Sequence, residues 1–403
     1  MSKKVFPRYL FPVLMLVFIL FGSAACEAST PAPTQATVSG QEPVQAEPTK
    51  GLEPTKAPEV TNTSEPTKTL EPTKTPEPTR TPEPTATSVP TPIGLSRENP
   101  FPSADIVSAP NWDIQVVEIK KGEEAWKDLL AANMFNQTAP EGMEYILVKI
   151  HAKSTYTDSD AHSIGRCDFE ATGDRFINYN CFSALVVNPD PELDAELYSG
   201  GEAEGWLAFV VDKGEGNLIL VFDEGINFDP DTRRYIALDD GASIQIPSDL
   251  ANIEPTDAGK DRNASAPMTE KIITDDWEIN IIDVIRGEEA WQMVLEANQF
   301  NDPPQDGFEY MVVKVHVHNI STDENPLSMD GMFFKSTGSA GALYDSPILV
   351  DPEPQLGASL YPGGETEGWV ILQAKIGETD MKLVFDSLFD FGGENKRFIS
   401  LEP

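Results

Sequence analysis

Polar and apolar residues alternate with a period of two in several stretches of this chain, and the stretches come in pairs. Trp112-Asp113-Ile114-Gln115-Val116 returns as Trp277-Glu278-Ile279-Asn280-Ile281. Ile146, Val148, Ile150 and Ala152 alternate with Lys149, His151 and Lys153, and Met311, Val313, Val315 and Val317 alternate with Lys314, His316 and His318. Such alternation predicts strands with one face buried and the other wet. Between the strands of each pair the period lengthens. Trp126, Leu129, Leu130 and Asn133, and their counterparts Trp291, Val294, Leu295 and Asn298, recur at three- and four-residue spacing. This predicts one helical face, with Glu123-Glu124 and Glu288-Glu289 at the helix start, where negative charge is favoured. The helix is expected to lie across an open end or edge of a sheet, covering strand groups that would otherwise pair with another chain.

The pairing extends to whole motifs. Gly122-Glu123-Glu124-Ala125-Trp126 matches Gly287-Glu288-Glu289-Ala290-Trp291 at a shift of 165 residues. Ala132-Asn133-Met134-Phe135-Asn136 matches Ala297-Asn298-Gln299-Phe300-Asn301 in the same register, as does Gly142-Met143-Glu144-Tyr145 with Gly307-Phe308-Glu309-Tyr310. Short strands are expected at Leu185-Val186-Val187 and Ile348-Leu349-Val350, each followed by a proline-acid turn. Gly200-Gly201-Glu202-Ala203-Glu204-Gly205-Trp206 and Gly363-Gly364-Glu365-Thr366-Glu367-Gly368-Trp369 then form a tight turn entering a long strand. Many short strands with one helix per copy predict a mostly β chain of two tandem immunoglobulin-like β-sandwiches, spanning 101–245 and 269–403. A Pro-, Asp-, Ala- and Ser-rich linker at 246–268 is expected to be flexible.

The N-terminal quarter follows other rules. Lys3, Lys4 and Arg8 precede an apolar run from Leu10 to Phe21, the layout of a secretory signal peptide over 1–25. Ser23-Ala24-Ala25-Cys26 resembles the lipobox of bacterial lipoproteins, which implies acylation of Cys26, although Ser23 stands where that pattern usually carries leucine. Cleavage with release of the protein, or an uncleaved anchor, stay open on sequence grounds. From 26 to 100 the chain is built on Glu-Pro-Thr-Lys, beginning at Glu47, Glu53, Glu65 and Glu71, with variants at Glu77 and Glu83. A segment so poor in large apolar side chains cannot offset the entropy of ordering, and its prolines favour extension, so it reads as a disordered stalk.

The strand, the Gly-Glu-Glu-Ala-Trp helix, the Gly-x-Glu-Tyr strand and the Gly-Gly-Glu-x-Glu-Gly-Trp turn together resemble a known family. It is the immunoglobulin-like domain of unknown function found in many bacterial extracytoplasmic lipoproteins, often behind a proline-threonine stalk. The resemblance covers Asn111 to about Asp239 and Asp276 to Pro403. It implies a sandwich in a surface protein and supplies no catalytic residue.

Charge and candidate chemistry narrow the function classes. The formal net charge is −37, while Glu27 to Pro100 holds ten acids against six bases, so the excess acid lies in the two repeats. Such a surface repels nucleic acid and anionic lipid and favours a monomer. Cys167 and Cys181 occur in the first repeat alone and are candidates for a disulfide, permitted by an extracytoplasmic address. His316 and His318 on one strand face invite a metal, but the first repeat has His151 and Lys153 there. Acidic loops at Asp190-Pro191-Glu192, Asp223-Glu224 and Asp351-Pro352-Glu353 invite calcium, although no EF-hand loop is spelled. No nucleophile elbow, zinc-protease helix or Ser-x-x-Lys pair is present, so an enzyme is not expected and no cofactor is implied. Trp206 and Trp369, following a turn, are the candidate binding patch. The chain reads as a lipid-anchored surface protein that binds an envelope or extracellular protein or a glycan. A small-molecule, glycan or calcium-binding accessory protein is the alternative, and an unrecognised envelope hydrolase comes last.

Overall fold

The computed structural model describes residues 92–224, 232–386 and 394–402; the signal peptide, Cys26 and nearly all of the stalk lie outside them. The first half runs β1 (Val107–Ser108), β2 (Trp112–Lys121), α1 (Gly122–Ala132), β3 (Met143–Ser154), β4 (His162–Gly165), β5 (Phe169–Thr172), β6 (Asp194–Leu197), β7 (Glu202–Asp212), β8 (Ile219–Phe222) and β9 (Arg234–Ala237). The second half runs β10 (Ile272–Ile273), β11 (Trp277–Arg286), α2 (Glu288–Ala297), β12 (Phe308–Asn319), β13 (Leu327–Asp330), β14 (Phe334–Thr337), β15 (Leu343–Tyr344), β16 (Gly357–Leu360), β17 (Glu365–Lys375), β18 (Lys382–Phe385) and β19 (Arg397–Ser400).

Corresponding strands pair in the same order. One sheet is β1-β2-β3-β7 in the first half and β10-β11-β12-β17 in the second; the facing sheet is β5-β8-β9 and β15-β14-β18-β19. Small ribbons β4-β6 and β13-β16 complete each sandwich, and all these ladders are antiparallel. The alternating residues meet between the sheets. Ile114, Ile146, Val148, Ile150, Phe169 and Phe222 fill the first core, and Ile279, Val313, Val315, Phe334, Leu372 and Phe385 the second. Bulges at Val117 and Ile282 fall at the same place in β2 and β11.

The helix sits elsewhere than the sequence reading placed it. It lies on the outer face of the sheet that holds β3 or β12, where Ala125 and Leu129 pack on Tyr145, Leu147, Trp206, Ala208 and Val210, and Ala290 and Val294 on Tyr310, Val312 and Ile371. Both faces of β3 and β12 are therefore buried, which explains why these strands read as the most apolar. The expected stripe is also shifted: Leu130 is exposed, Trp126 is half-buried and stacked on Tyr145, and the small Ala125 lets the helix approach. Gly122 and Gly287 make the strand-to-helix turn at φ 54° and 75°, a region that side chains with a Cβ avoid.

The last residues of the expected stalk belong to the sandwich. Gly94 O accepts the Tyr235 amide at 3.0 Å, Phe101 N donates to Tyr235 O at 2.8 Å, and Arg97 is completely buried. Its Nε donates to Glu324 at 3.2 Å, and its guanidinium lies 4.1 Å from the Tyr361 ring and 5.8 Å from that of Phe176. The halves are also joined through backbone: Asn178 N donates to Ser359 O at 2.8 Å and Tyr361 N to Phe176 O at 2.7 Å. Nor does the expected flexible linker run free, since Ala266 pairs with Ile399 and Phe398 N donates to Gly259 O at 2.7 Å.

Candidate functional site

Most of the repeated motif is architecture. Glu144 accepts the Gly214 amide at 2.8 Å, and Glu309 pairs with Arg286 at 2.7 Å, so the Gly-x-Glu-Tyr glutamate secures nearby turns. The motif tyrosines donate to the carbonyls of Gln137 and Asp302 at 3.0 and 3.1 Å. In the Gly-Gly-Glu-x-Glu-Gly-Trp turn, Lys149 pairs with Glu204 at 2.6 Å, Lys153 with Glu202 at 2.9 Å and Lys314 with Glu367 at 2.6 Å, a cross-strand ladder of opposite charges. The glycine before each tryptophan admits a crossing backbone: a Cβ at Gly205 or Gly368 would stand 2.3 Å from the nitrogen of Leu193 or Leu356.

The tryptophan patch expected from sequence does not form. Trp206 is 7% exposed beneath α1, with the Lys120 ammonium 4.8 Å above its ring, and Trp369 is half-buried against the corresponding cluster. Cys167 and Cys181 are disulfide-bonded. His151 and His316 lie 3.5 and 3.3 Å from Glu202 and Glu365 as part of the charged ladder. Asp223 pairs with Arg233, and Glu224 accepts from Asn111, Trp112 and Tyr156. Among the described residues no three His, Cys, Asp or Glu side chains converge in a geometry that would hold a metal ion.

What the structure does present is an apolar edge, repeated in both halves. The asparagine ending each helix turns the chain, with Asn133 accepting the Phe135 amide and Asn298 the Phe300 amide at 3.0 Å. The second asparagine is a clamp. Asn136 Nδ2 donates to Leu129 O at 2.8 Å and Val187 O at 2.9 Å, while its Oδ1 accepts from Val187 N at 2.9 Å. Asn301 makes the same three bonds to Val294 and Val350, at 2.8, 2.9 and 3.0 Å.

Leu185-Val186-Val187 and Ile348-Leu349-Val350, expected as strands, are loops, and at Val187 and Val350 the peptide group pairs with the asparagine side chain and not with a sheet. The clamp also leaves the large side chains outside. Phe135 is 77% exposed, Phe300 82% and Leu185 76%, and Met134, Val187, Ile348 and Val350 are exposed beside them. The sequence contained this signal in the paired Asn-x-Phe-Asn, but its phenylalanine has no periodicity to show that it faces water.

Pockets open in the second half. One of about 360 Å³ is lined largely by Met268, Ile282, Val284, Met311, Met381 and Leu401. Another, of about 190 Å³, adjoins Ile348. In the latter, Asp351 Oδ1 accepts the Ile371 amide at 3.0 Å, and burial pushes its carboxyl up to about 6, with the Ile371 bond opposing and Asp330 adding to the rise. Among the described residues no helix is long and apolar enough to cross a membrane.

A family profile described as a domain of unknown function (DUF4352) matches residues 274–396, which is the second half; the first half lies outside the match. No curated protein matches the chain. Among solved structures, it is similar to a protein of Bacillus subtilis subsp. subtilis str. 168 described as a lipoprotein, YcdA, at 14% identity and a TM-score of 0.24. That alignment covers 33% of this chain and 38% of YcdA, so this chain spans less than half the length of that relative. The YjhA protein of Bacillus subtilis aligns at 10% identity and a TM-score of 0.24, over 34% of this chain and 99% of its own.

Proposed function

We propose that this chain is a non-enzymatic, lipid-anchored envelope protein whose two halves, both of the same domain family, bind another protein through their apolar edges. The observation that carries this reading is the duplicated clamp. In each half three side-chain hydrogen bonds hold a loop beside an exposed phenylalanine and two or more exposed aliphatic side chains. Contiguous exposed apolar surface of this kind marks interaction sites. Two linked weak sites gain avidity, which gives the duplication a use. The signal-peptide layout, Cys26 and the proline-rich stalk support anchorage that lifts the sandwiches off a membrane.

The test is cross-linking on intact cells of the source organism with the full chain and with a Phe135→Ser, Phe300→Ser double variant. Discrete adducts to the wild-type protein should disappear in the variant, while its melting temperature stays unchanged because both rings are exposed. Identical adducts in the two would overturn the reading.

A further inference from the structure

The pocket beside Ile348 differs from the corresponding place in the first half by three substitutions. Met332 stands where the first half has Cys167, Ser346 where it has Cys181, and Asp351 where it has Asn188. In the first half the disulfide ties the 166–168 turn to the following loop, and Asn188, nearly buried, donates its amide to Glu192 at 2.9 Å. In the second half no disulfide ties the turn to the loop; Ser346 Oγ donates instead to Phe334 O, and a pocket of about 190 Å³ lies beside this contact, walled by Met332, Ile348, Leu349 and Ile371 with Asp330 and Asp351 beside them.

A carboxylate in that position is unfavourable for the fold alone. It is partly taken out of water, Asp330 repels it, and among the described residues no cation is among the groups that set its carboxyl. The first half shows that the same turn accepts the neutral isostere asparagine. A charge kept where asparagine fits better points to a cation from outside.

We propose that this pocket receives a lysine side chain of a partner protein docked on the second apolar edge. Its methylene stem would lie along Met332, Ile348 and Ile371, and its ammonium would face the carboxylates of Asp330 and Asp351. A long aliphatic stem with a compact charged head matches apolar walls ending in acids. A surface carrying a formal charge of −37 also selects basic partners. This occupant presupposes the protein-binding reading of the edge and adds the chemistry recognised there.

The experiment follows the Met332 methyl signal of the methyl-labelled full chain, assigned with Met332→Leu, during titration at neutral pH with Nα-acetyl-lysine methylamide. Saturable shifts are expected in the wild type, with affinity lower by about tenfold in Asp351→Asn, as for removal of one partner from a partly desolvated charge pair. The Nε-acetylated derivative, which carries no charge, should not titrate the signal. Equal titration of wild type and variant, or equal binding of the acetylated derivative, would overturn the proposal. Saturation by a free diamine without saturation by the lysine compound would overturn the partner lysine as its source. Adducts lost in the double phenylalanine variant, with no lysine titration of Met332, would leave the edge reading standing and overturn the pocket assignment alone.

Discussion

Asn136 and Val187 exchange two hydrogen bonds across 51 residues of sequence, at 2.9 Å in each direction, and Asn136 uses the remaining amide hydrogen on the helix carbonyl of Leu129. One side chain thereby ends α1, fixes the loop that follows β5 and aims Phe135 outward. Asn136→Ala removes all three bonds and takes both of its partners from the Val187 peptide, while Leu129 O keeps the Asn133 amide at 3.0 Å. A loss of about 1–3 kcal/mol is expected, read as a lower denaturation midpoint. Hydrogen exchange at the Val187 amide should accelerate more than at amides of the β3 core. Asn301→Ala should act in the same way on Val350.

Gly368→Ala tests the crossing at β17. The new methyl would meet the Leu356 nitrogen at 2.3 Å and the Gln355 carbonyl carbon at 2.4 Å, both backbone atoms that cannot rotate away. The crossing strand must move and give up the bonds between Leu356 and Trp369 and between Trp369 and Pro354. Destabilisation of more than about 3 kcal/mol is expected, measurable as loss of the folded second half in circular dichroism.

The disulfide staples one half only. Cys167 and Cys181 are 14 residues apart, and closing a loop of that size stabilises by about 3 kcal/mol in the chain-entropy account. Replacing both by serine should raise exchange of amides in the first half. Exchange around Met332 and Ser346, which need no such bond, should remain as in the wild type.

Arg97 joins the halves. Its side chain is fully buried, over Tyr361 of the second half and within reach of Glu324. Arg97→Ala opens a cavity between two rings and removes a buried ion-pair partner, so a loss of about 3 kcal/mol is expected. Calorimetry should show one transition for the wild type and two for this variant. Arg97→Met, which keeps an apolar stem over Tyr361, should lie between them.

The strands were legible because period-two alternation survives wherever one face meets the core, as at Ile146, Val148 and Ile150. The place of α1 was not, because Ala125 buries the helix without looking like a core residue, while Leu130 looks like one and faces water. Trp206 misled in the opposite direction: its position after a turn suggested exposure, but a helix from 80 residues earlier covers it. The join between halves rests on Arg97, which sits at the end of a Pro- and Thr-rich run and shows its role only beside Tyr361. The apolar edge could be found only as a repeated asparagine and phenylalanine, since exposure of a phenylalanine leaves no periodic trace.

Asp351 makes stability depend on pH in a defined direction. Its carboxyl titrates near 6 in the folded chain, above the ordinary aspartate value of 3.8, because burial and Asp330 disfavour the charge. The folded state therefore holds more protons than the unfolded state between those values, and stability falls as pH rises through that window. Asp351→Asn keeps an oxygen for the Ile371 amide and removes the charge. The variant should melt higher than wild type at neutral pH, with the difference shrinking as pH falls from about 6 to about 4, below which both side chains are neutral. The group is only partly buried, so the gain should be modest, about 1 kcal/mol. Thermal melts of both proteins across this range decide it. A constant difference between the curves would show that the Asp351 charge carries no cost, and with it would go the reason for seeking a cation there.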